Sequence, residues 1–156
     1  MEPIKSKPAD IEKVRACALR LLARREHSRT ELVQKLLLRH FSEDLIHAVI
    51  DSMLAKGWQS DLRFAKAYVE QQIQRGYGAL KIEIELKKRG IAKELIVLVL
   101  PSDNAFWQQQ LRKLWNNKFK ETNKTRPVTQ AQQIRFLQSR GFSWQQIKSM
   151  VLHNEK

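Results

Sequence analysis

One pattern of side chains occurs three times along this chain, with anchors at Phe41, Ile91 and Phe142 that lie 50 and 51 residues apart. In each copy a leucine precedes an arginine by three positions, and an apolar anchor and an isoleucine follow. The three copies are Leu36-x-x-Arg39-x-Phe41-Ser42-x-x-x-Ile46, Leu86-x-x-Arg89-x-Ile91-Ala92-x-x-x-Ile96 and Leu137-x-x-Arg140-x-Phe142-Ser143-x-x-x-Ile147. A period of this length indicates a stacked helical array rather than one globular core. Such an array offers a long surface to a long partner.

Apolar residues recur at helical spacing in every copy, and no segment alternates apolar and polar residues as a half-buried strand would. Ser28-x-x-Glu31 has the form of a capping box, and Gly57, Gly90 and Gly141 stand where a helix would end. We therefore predict an all-α fold of about nine helices. They form three tandem three-helix, helix-turn-helix-like repeats in an elongated, curved array. The predicted units are a flexible N-terminal tail at 1–10 and repeats at 11–57, 58–101 and 102–156.

No apolar run approaches the roughly 20 residues that a membrane-spanning helix needs. The first ten residues contain two prolines and no apolar segment of the secretory type. The single cysteine, Cys17, has no partner for an internal disulfide, which suits a reducing compartment. We expect a cytoplasmic protein that does not contact membranes.

The chain carries a formal net charge of +13, and the excess is uneven. Nine basic and six acidic residues give +3 in 11–57, and eight and five give +3 in 58–101. Ten basic and three acidic residues give +7 in 102–156. An excess that leans toward one end favours a polyanionic partner, most simply nucleic acid, over a surface that only keeps the protein soluble.

No constellation of residues indicates an active site, so we expect neither an enzyme nor a cofactor. One cysteine excludes Cys-x-x-Cys metal spacing, and the histidines are scattered over different segments. The histidines are His27, His40, His47 and His153. Gly76-Tyr77-Gly78 lacks the further glycine and the Lys-Ser/Thr of a phosphate-binding loop, so we interpret it as a hinge between helices. A pair of carboxylates brought together by folding stays open as a third reading, a hydrolase.

Two groups of cations are candidates for contact with a partner. The first follows the Gly-Tyr-Gly segment and consists of Lys81, Lys87, Lys88 and Arg89. The second lies in 102–156, where a polar stretch from 116 to 127 is predicted to be a mobile connection. That stretch contains Lys118, Lys120, Lys124 and Arg126.

Four segments, in this order along the chain, resemble the signatures of the bacterial RecX regulatory family. They are Arg25-Glu26-His27-Ser28-x-x-Glu31-Leu32-x-x-Lys35-Leu36, Gly57-Trp58-x-x-Asp61-x-Arg63-Phe64-Ala65, Arg75-Gly76-Tyr77-Gly78-x-x-Lys81-Ile82-x-x-Glu85-Leu86-x-x-Arg89-Gly90-Ile91 and Ile134-Arg135-Phe136-Leu137-x-x-Arg140-Gly141-Phe142. The chain departs from the family pattern at a few positions. Trp58, Ser60 and Ala79 replace residues common there, and Gln72 occupies a position that is often basic.

The resemblance implies a regulator of the RecA recombinase. Family members bind within the groove of the RecA–DNA nucleoprotein filament, inhibit its recombinase, ATPase and coprotease activities, and in many cases bind single- or double-stranded DNA. We expect a monomer that acts without a cofactor. The alternative is a stand-alone basic DNA- or RNA-binding helical module. Candidate contact residues for RecA or DNA are Arg25, Arg63, Arg75, Lys81, Lys87, Lys88, Arg89, Lys118, Lys120, Lys124, Arg126, Arg135 and Arg140.

Overall fold

The computed structural model describes residues 8–120 and 128–154, and every regular element in these two ranges is an α-helix. The helices are α1 (Pro8–Arg24), α2 (Arg29–Leu37), α3 (Glu43–Ala55), α4 (Asp61–Gln74), α5 (Ala79–Lys88), α6 (Lys93–Val99), α7 (Asn104–Phe119), α8 (Gln130–Ser139) and α9 (Trp144–Asn154). In each group of three, the first helix packs against the third. The all-α fold of tandem three-helix units is confirmed.

The second helix of the first repeat begins at the predicted capping box. The Glu31 backbone N–H donates to Ser28 Oγ at 3.1 Å, and the Ser28 N–H donates to Glu31 Oε1 at 3.1 Å. Each of these bonds satisfies an N–H that the first turn of a helix cannot pair internally. The three repeat patterns also end their second helices alike, with a residue at positive φ: His40 at 65°, Gly90 at 76° and Gly141 at 98°.

The helices bury their apolar faces in two cores rather than three. The first core contains buried side chains from α1 to α3 only, with Leu36 and Ile50 fully enclosed. The second core is continuous through the remaining two repeats, where Leu86, Leu111 and Ile147 are fully enclosed. The second and third repeats therefore depend on each other for burial, as expected of a stacked array.

A direct backbone contact joins the second repeat to the third. The Gly78 N–H donates to the Arg140 carbonyl at 2.7 Å, and the Leu80 N–H donates to the Gly141 carbonyl at 3.1 Å. The last carbonyls of α8 thus satisfy free N–H groups at the start of α5. A Cβ on Gly78 would lie 2.5 Å from the Gly141 oxygen, so this approach requires glycine. The backbone that approaches the Gly76-Tyr77-Gly78 segment is therefore that of the third repeat of the same chain.

The first repeat joins the second through polar contacts and one close approach. The Arg29 N–H donates to Asp61 Oδ1 at 2.8 Å, and Gln59 Nε2 donates to the same oxygen at 2.9 Å. A Cβ on Gly90 would overlap the side chain of Thr30. The end of α5 therefore abuts the start of α2, much as the end of α8 abuts the start of α5.

The structure differs from the sequence-based expectation at two places, the start of the first helix and residues 116–119. Helix α1 begins at Pro8, three residues before the predicted start of the first repeat. A proline suits a first helical position because that N–H has no partner within the helix. The mobile connection predicted from residue 116 is wrong for 116–119, where α7 continues. Phe119 is buried there and meets the Phe136 ring edge-on, with centroids 5.5 Å apart, and this contact prolongs the helix.

Candidate partner-binding cleft

An open cleft of about 690 Å³ lies where the first repeat meets the second. Its walls come from the turn between α1 and α2, from one face of α4 and from α5. Of the predicted contact residues, Arg25, Arg75, Lys81 and Arg89 line this cleft. Folding therefore brings together cations from two of the RecX-like segments, Arg25 from the first and Arg75, Lys81 and Arg89 from the third.

Glu31 organises the wall that the first repeat contributes. Its carboxylate accepts from Arg25 Nη1 at 3.2 Å and Nη2 at 3.1 Å, and it also caps α2 at Ser28. Arg89 Nε approaches the same carboxylate at 3.9 Å. Burial acts to raise the pKa of Glu31, but the hydrogen bonds from Arg25 and the Ser28 N–H outweigh it and leave the pKa below its usual value. The carboxylate is thus ionised at neutral pH and neutralises its two guanidinium neighbours.

Arg89 forms the wall that the second repeat contributes. Its Nη1 donates to Glu85 Oε2 at 2.8 Å, and this hydrogen bond lowers the pKa of the Glu85 carboxyl. The guanidinium also lies over the Tyr68 ring, 4.7 Å from the centroid. Burial raises the pKa of the Tyr68 hydroxyl, which keeps it protonated and able to donate a hydrogen bond.

Three groups in the cleft keep their hydrogen-bonding capacity for a partner. Gln72 is 9% exposed, and no described residue pairs with its side-chain amide. Among the described residues no unpaired side-chain N or O atom is completely enclosed, so the Gln72 amide keeps some exposure, and Gln72 lines the cleft. Arg75 is exposed, with no carboxylate among the described residues within ion-pair distance, and Lys81 lies over the Tyr77 ring at 5.1 Å.

Two predicted contact residues, Arg63 and Arg140, make contacts between repeats within this chain. Arg63 Nε pairs with Glu26 Oε1 at 2.9 Å, and its two terminal nitrogens donate to the carbonyls of Gly57 and Trp58. Arg140 lies between aromatic rings, 4.8 Å from the Tyr77 centroid, and Nη1 donates to the Arg75 carbonyl at 3.3 Å. Each guanidinium donates hydrogen bonds to groups of the same chain, because the planar guanidinium can bond to several acceptors at once.

The other predicted contact residues that the structure describes do not line the cleft. Lys87 pairs with Glu83 at 3.1 Å and Lys88 with Glu85 at 3.4 Å, both on the exposed side of α5. Lys118 is helical and lies 5.3 Å from the Phe136 centroid. The remaining four are Arg135, exposed on α8, Lys120, at the end of α7, and Lys124 and Arg126, which lie outside the described residues.

Sequence reasoning missed the buried histidine behind the cleft. His27 is 1% exposed, its Nδ1 lies 3.0 Å from the Arg25 carbonyl, and its Nε2 lies 3.1 Å from Lys35 Nζ. Burial lowers its pKa, so the ring is neutral, with Nδ1 donating to the carbonyl and Nε2 accepting from the lysine. His27 fixes the turn that presents Arg25. The sequence signal was its place in the Arg-Glu-His-Ser segment directly before the capping box.

Within residues 8–120 and 128–154, no three His, Cys, Asp or Glu side chains come together as metal ligands would. No helix in the same ranges is long and apolar enough to cross a bilayer. What the cleft offers is hydrogen bonds and charge. Together, the fold and this cleft define a tandem three-helix-repeat protein with a polar binding surface.

Comparison with known proteins places the chain within that class. Models of the first, second and third three-helix domains of RecX match residues 15–53, 60–100 and 108–151. A protein of Pseudomonas fluorescens named Regulatory protein RecX is 37% identical over 138 residues, covering 88% of this chain and 89% of the relative. A Chromohalobacter salexigens protein of the same name is 36% identical over 136 residues, covering 87% of this chain and 89% of the relative. The chain belongs to the RecX family.

Solved structures agree on the fold. The crystal structure of RecX from Lactobacillus salivarius superposes with a TM-score of 0.77 at 20% identity and covers 94% of this chain and 97% of that one. A second crystal structure, of a regulatory protein RecX, gives a TM-score of 0.76 at 18% identity and covers 90% of this chain and 72% of that one. The predicted family membership is therefore confirmed, and the unit boundaries at residues 57 and 101 stay a prediction.

Proposed function

We propose that this protein is a non-enzymatic cytoplasmic regulator of RecA that binds in the groove of the RecA–DNA filament. There it inhibits the recombinase, ATPase and coprotease activities of the filament. The observation that supports this proposal most strongly is family membership through all three repeats, with relatives that are named Regulatory protein RecX. The joints at Gly78–Gly141 and Arg63–Glu26 add a physical reason. An array joined in this way presents one continuous surface, which suits a filament of repeating subunits.

The defining experiment measures ATP hydrolysis by RecA on single-stranded DNA while this protein is added. We expect hydrolysis to fall at protein concentrations well below the concentration of RecA subunits, because one bound monomer contacts more than one subunit. The control is RecA without DNA, whose background hydrolysis should not change. Pre-formed filaments that keep full ATPase, strand-exchange and coprotease activity with this protein in excess would refute the proposal.

The third repeat supplies the surface best suited to a phosphate backbone. Helix α7 contains no acidic residue, and its exposed cations Arg112 and Lys113 are followed by Lys120 at the helix end. At about 100° per residue these three lie within roughly 100° of one another, opposite the buried Trp107 and Leu111. None of the three has a carboxylate partner among the described residues. We name Arg112, Lys113 and Lys120 the α7 basic face.

Replacing the α7 basic face by Arg112→Gln, Lys113→Gln and Lys120→Gln together should weaken binding to single-stranded DNA. The slope of log affinity against log salt should decrease by roughly two, since each phosphate contact contributes about 0.7. Stability should change little, because surface substitutions usually alter it by less than about 0.5 kcal/mol each. The matched control removes three exposed lysines from other helices, Lys13, Lys66 and Lys93. An equal change of slope in both triple variants would mean that only net charge matters.

The α7 basic face also supports the second candidate, a DNA- or RNA-binding module that acts without RecA. The two candidates differ in a single result. Suppose that the protein binds single-stranded DNA with a steep salt dependence but does not change ATP hydrolysis by RecA when long single-stranded DNA is present in excess. The DNA- or RNA-binding module then becomes the better explanation.

A further inference from the structure

We infer that the cleft between the first and second repeats docks an acidic segment of the RecA protein itself rather than the DNA. In this arrangement Arg75 and Lys81 hold a carboxylate of that segment, and the Gln72 amide pairs with an adjacent backbone amide. This inference rests on the proposed function, and it assigns the protein contact and the DNA contact to different parts of the array.

The charges in the cleft argue against a nucleic-acid backbone. Four cations line it, but so do the carboxylates of Glu26, Glu31 and Glu85. Two of the cations, Arg25 and Arg89, already pair with Glu31 and Glu85. A phosphate strand entering here would meet three negative groups at short range, whereas helix α7 itself contains no acidic residue. A cleft with nearly balanced charge and directional donors suits a peptide segment with a single carboxylate better than a strand that carries a charge on every nucleotide.

The aromatic rings in the cleft lead to the same conclusion. Tyr68 is covered by the Arg89 guanidinium at 4.7 Å, and Tyr77 by Arg140 at 4.8 Å and Lys81 at 5.1 Å. Single-stranded nucleic acids bind by stacking bases on open aromatic faces. In this cleft the protein's own cations lie over these faces. The rings therefore hold the cations in place and are not open to stacking bases.

The unpaired groups of the cleft determine which chemical groups a bound segment must supply. Gln72 and Arg75 are three residues apart on α4, so they project from the same side of the helix. The Gln72 amide offers N–H donors and a carbonyl acceptor, which can pair with the carbonyl and the N–H of a peptide group. Arg75 and Lys81 are the cations of the cleft without a carboxylate partner among the described residues. An Asp or Glu in an extended segment satisfies all three groups together, and a volume of about 690 Å³ accommodates several side chains.

The test compares Arg75→Gln and Gln72→Leu with matched changes on the outer side of the same helix, Lys66→Gln and Gln74→Leu. Lys66 and Gln74 are exposed on α4 and do not line the cleft. Binding of each variant is measured to RecA from the same organism without DNA, and separately to single-stranded DNA. We expect each cleft variant to bind RecA about tenfold or more weakly, as expected for loss of a hydrogen bond to a charged or buried group. Affinity for DNA should stay within twofold of the wild type, and both outer variants should match the wild type in both assays.

Cleft variants that bind RecA as the wild type does would overturn this inference and leave the proposed function standing. An equal loss of DNA binding in the cleft variants would identify the cleft as a nucleic-acid site instead. A wild-type protein that binds DNA but not DNA-free RecA would overturn this docking site, while the ATPase experiment on filaments decides the proposed function. Helicity is measured for every variant, and if Gln72→Leu unfolds, the exposed Arg75→Gln decides the question.

Discussion

Replacing Gly141 by alanine should lower the free energy of unfolding by about 3 kcal/mol. The residue has a φ of 98°, which an L side chain rarely adopts, and its Cβ would lie 2.5 Å from Lys81 Cβ and 2.6 Å from Lys81 N. The backbone conformation costs about 1–2 kcal/mol and the overlap about 1–3 kcal/mol. Relief of the overlap requires separating α8 from α5, so the joint between the second and third repeats opens. Urea denaturation followed by far-ultraviolet circular dichroism measures the loss.

The matched control for this prediction is Gly57→Ala. Gly57 has a φ of 74°, but a Cβ there would meet nothing within 4 Å. It should therefore lose only the conformational part, about 1 kcal/mol. Gly78→Ala tests the overlap without the conformational cost. Its φ of −92° suits alanine, but its Cβ would lie 2.5 Å from the Gly141 oxygen. If Gly57→Ala and Gly141→Ala were equally destabilising, the close approach of the two repeats would have no energetic role.

Replacing Glu31 by alanine should lower the free energy of unfolding by about 2 kcal/mol. The change removes the Glu31 carboxylate, which accepts from the Arg25 guanidinium and the Ser28 N–H and lies near Arg89 Nε. The Arg25 side chain is 48% exposed, so solvent screens this ion pair and its loss costs about 1 kcal/mol. Loss of the N-terminal cap costs roughly 1 kcal/mol more. The comparison is Glu83→Ala, whose exposed pair with Lys87 should contribute less than about 1 kcal/mol.

The same residue makes a pH-dependent contribution whose sign follows from its pKa. The folded pKa of Glu31 lies below its usual value of 4.5, so the folded state binds a proton less readily than the unfolded chain. The stabilisation is complete above pH 4.5 and is lost as the pH falls through the folded pKa. The stability difference between wild type and Glu31→Ala should therefore shrink on acidification from pH 6 to pH 3. A difference that stays constant over this range would show that ionisation of Glu31 does not stabilise the fold.

The sequence predicted part of the candidate site and could not predict the rest. It identified Arg25, Arg75, Lys81 and Arg89 as candidates because they belong to the RecX-like segments, and the structure places all four in one cleft. It could not separate free cations from paired ones. The pairing of Arg89 with Glu31 joins residues of different repeats, and local sequence carries no information about that distance. For the same reason the sequence could not predict that Arg63 and Arg140 also bond to the protein's own backbone, and their contact with a partner stays a prediction.

Local energetics alone determined the helices, the capping box at Ser28 and the glycine that ends each later copy of the repeat. Those features depend on side chains within about four residues of each other, so periodicity and residue type are sufficient. Tertiary contact alone decided that α7 continues to Phe119, because its polar sequence from 116 onward gives no sign of the ring at Phe136. It also decided that two repeats share one core and that Gly78 receives the backbone of Gly141. Such contacts join residues far apart in the chain, and only the packing of one repeat on the next brings them within reach.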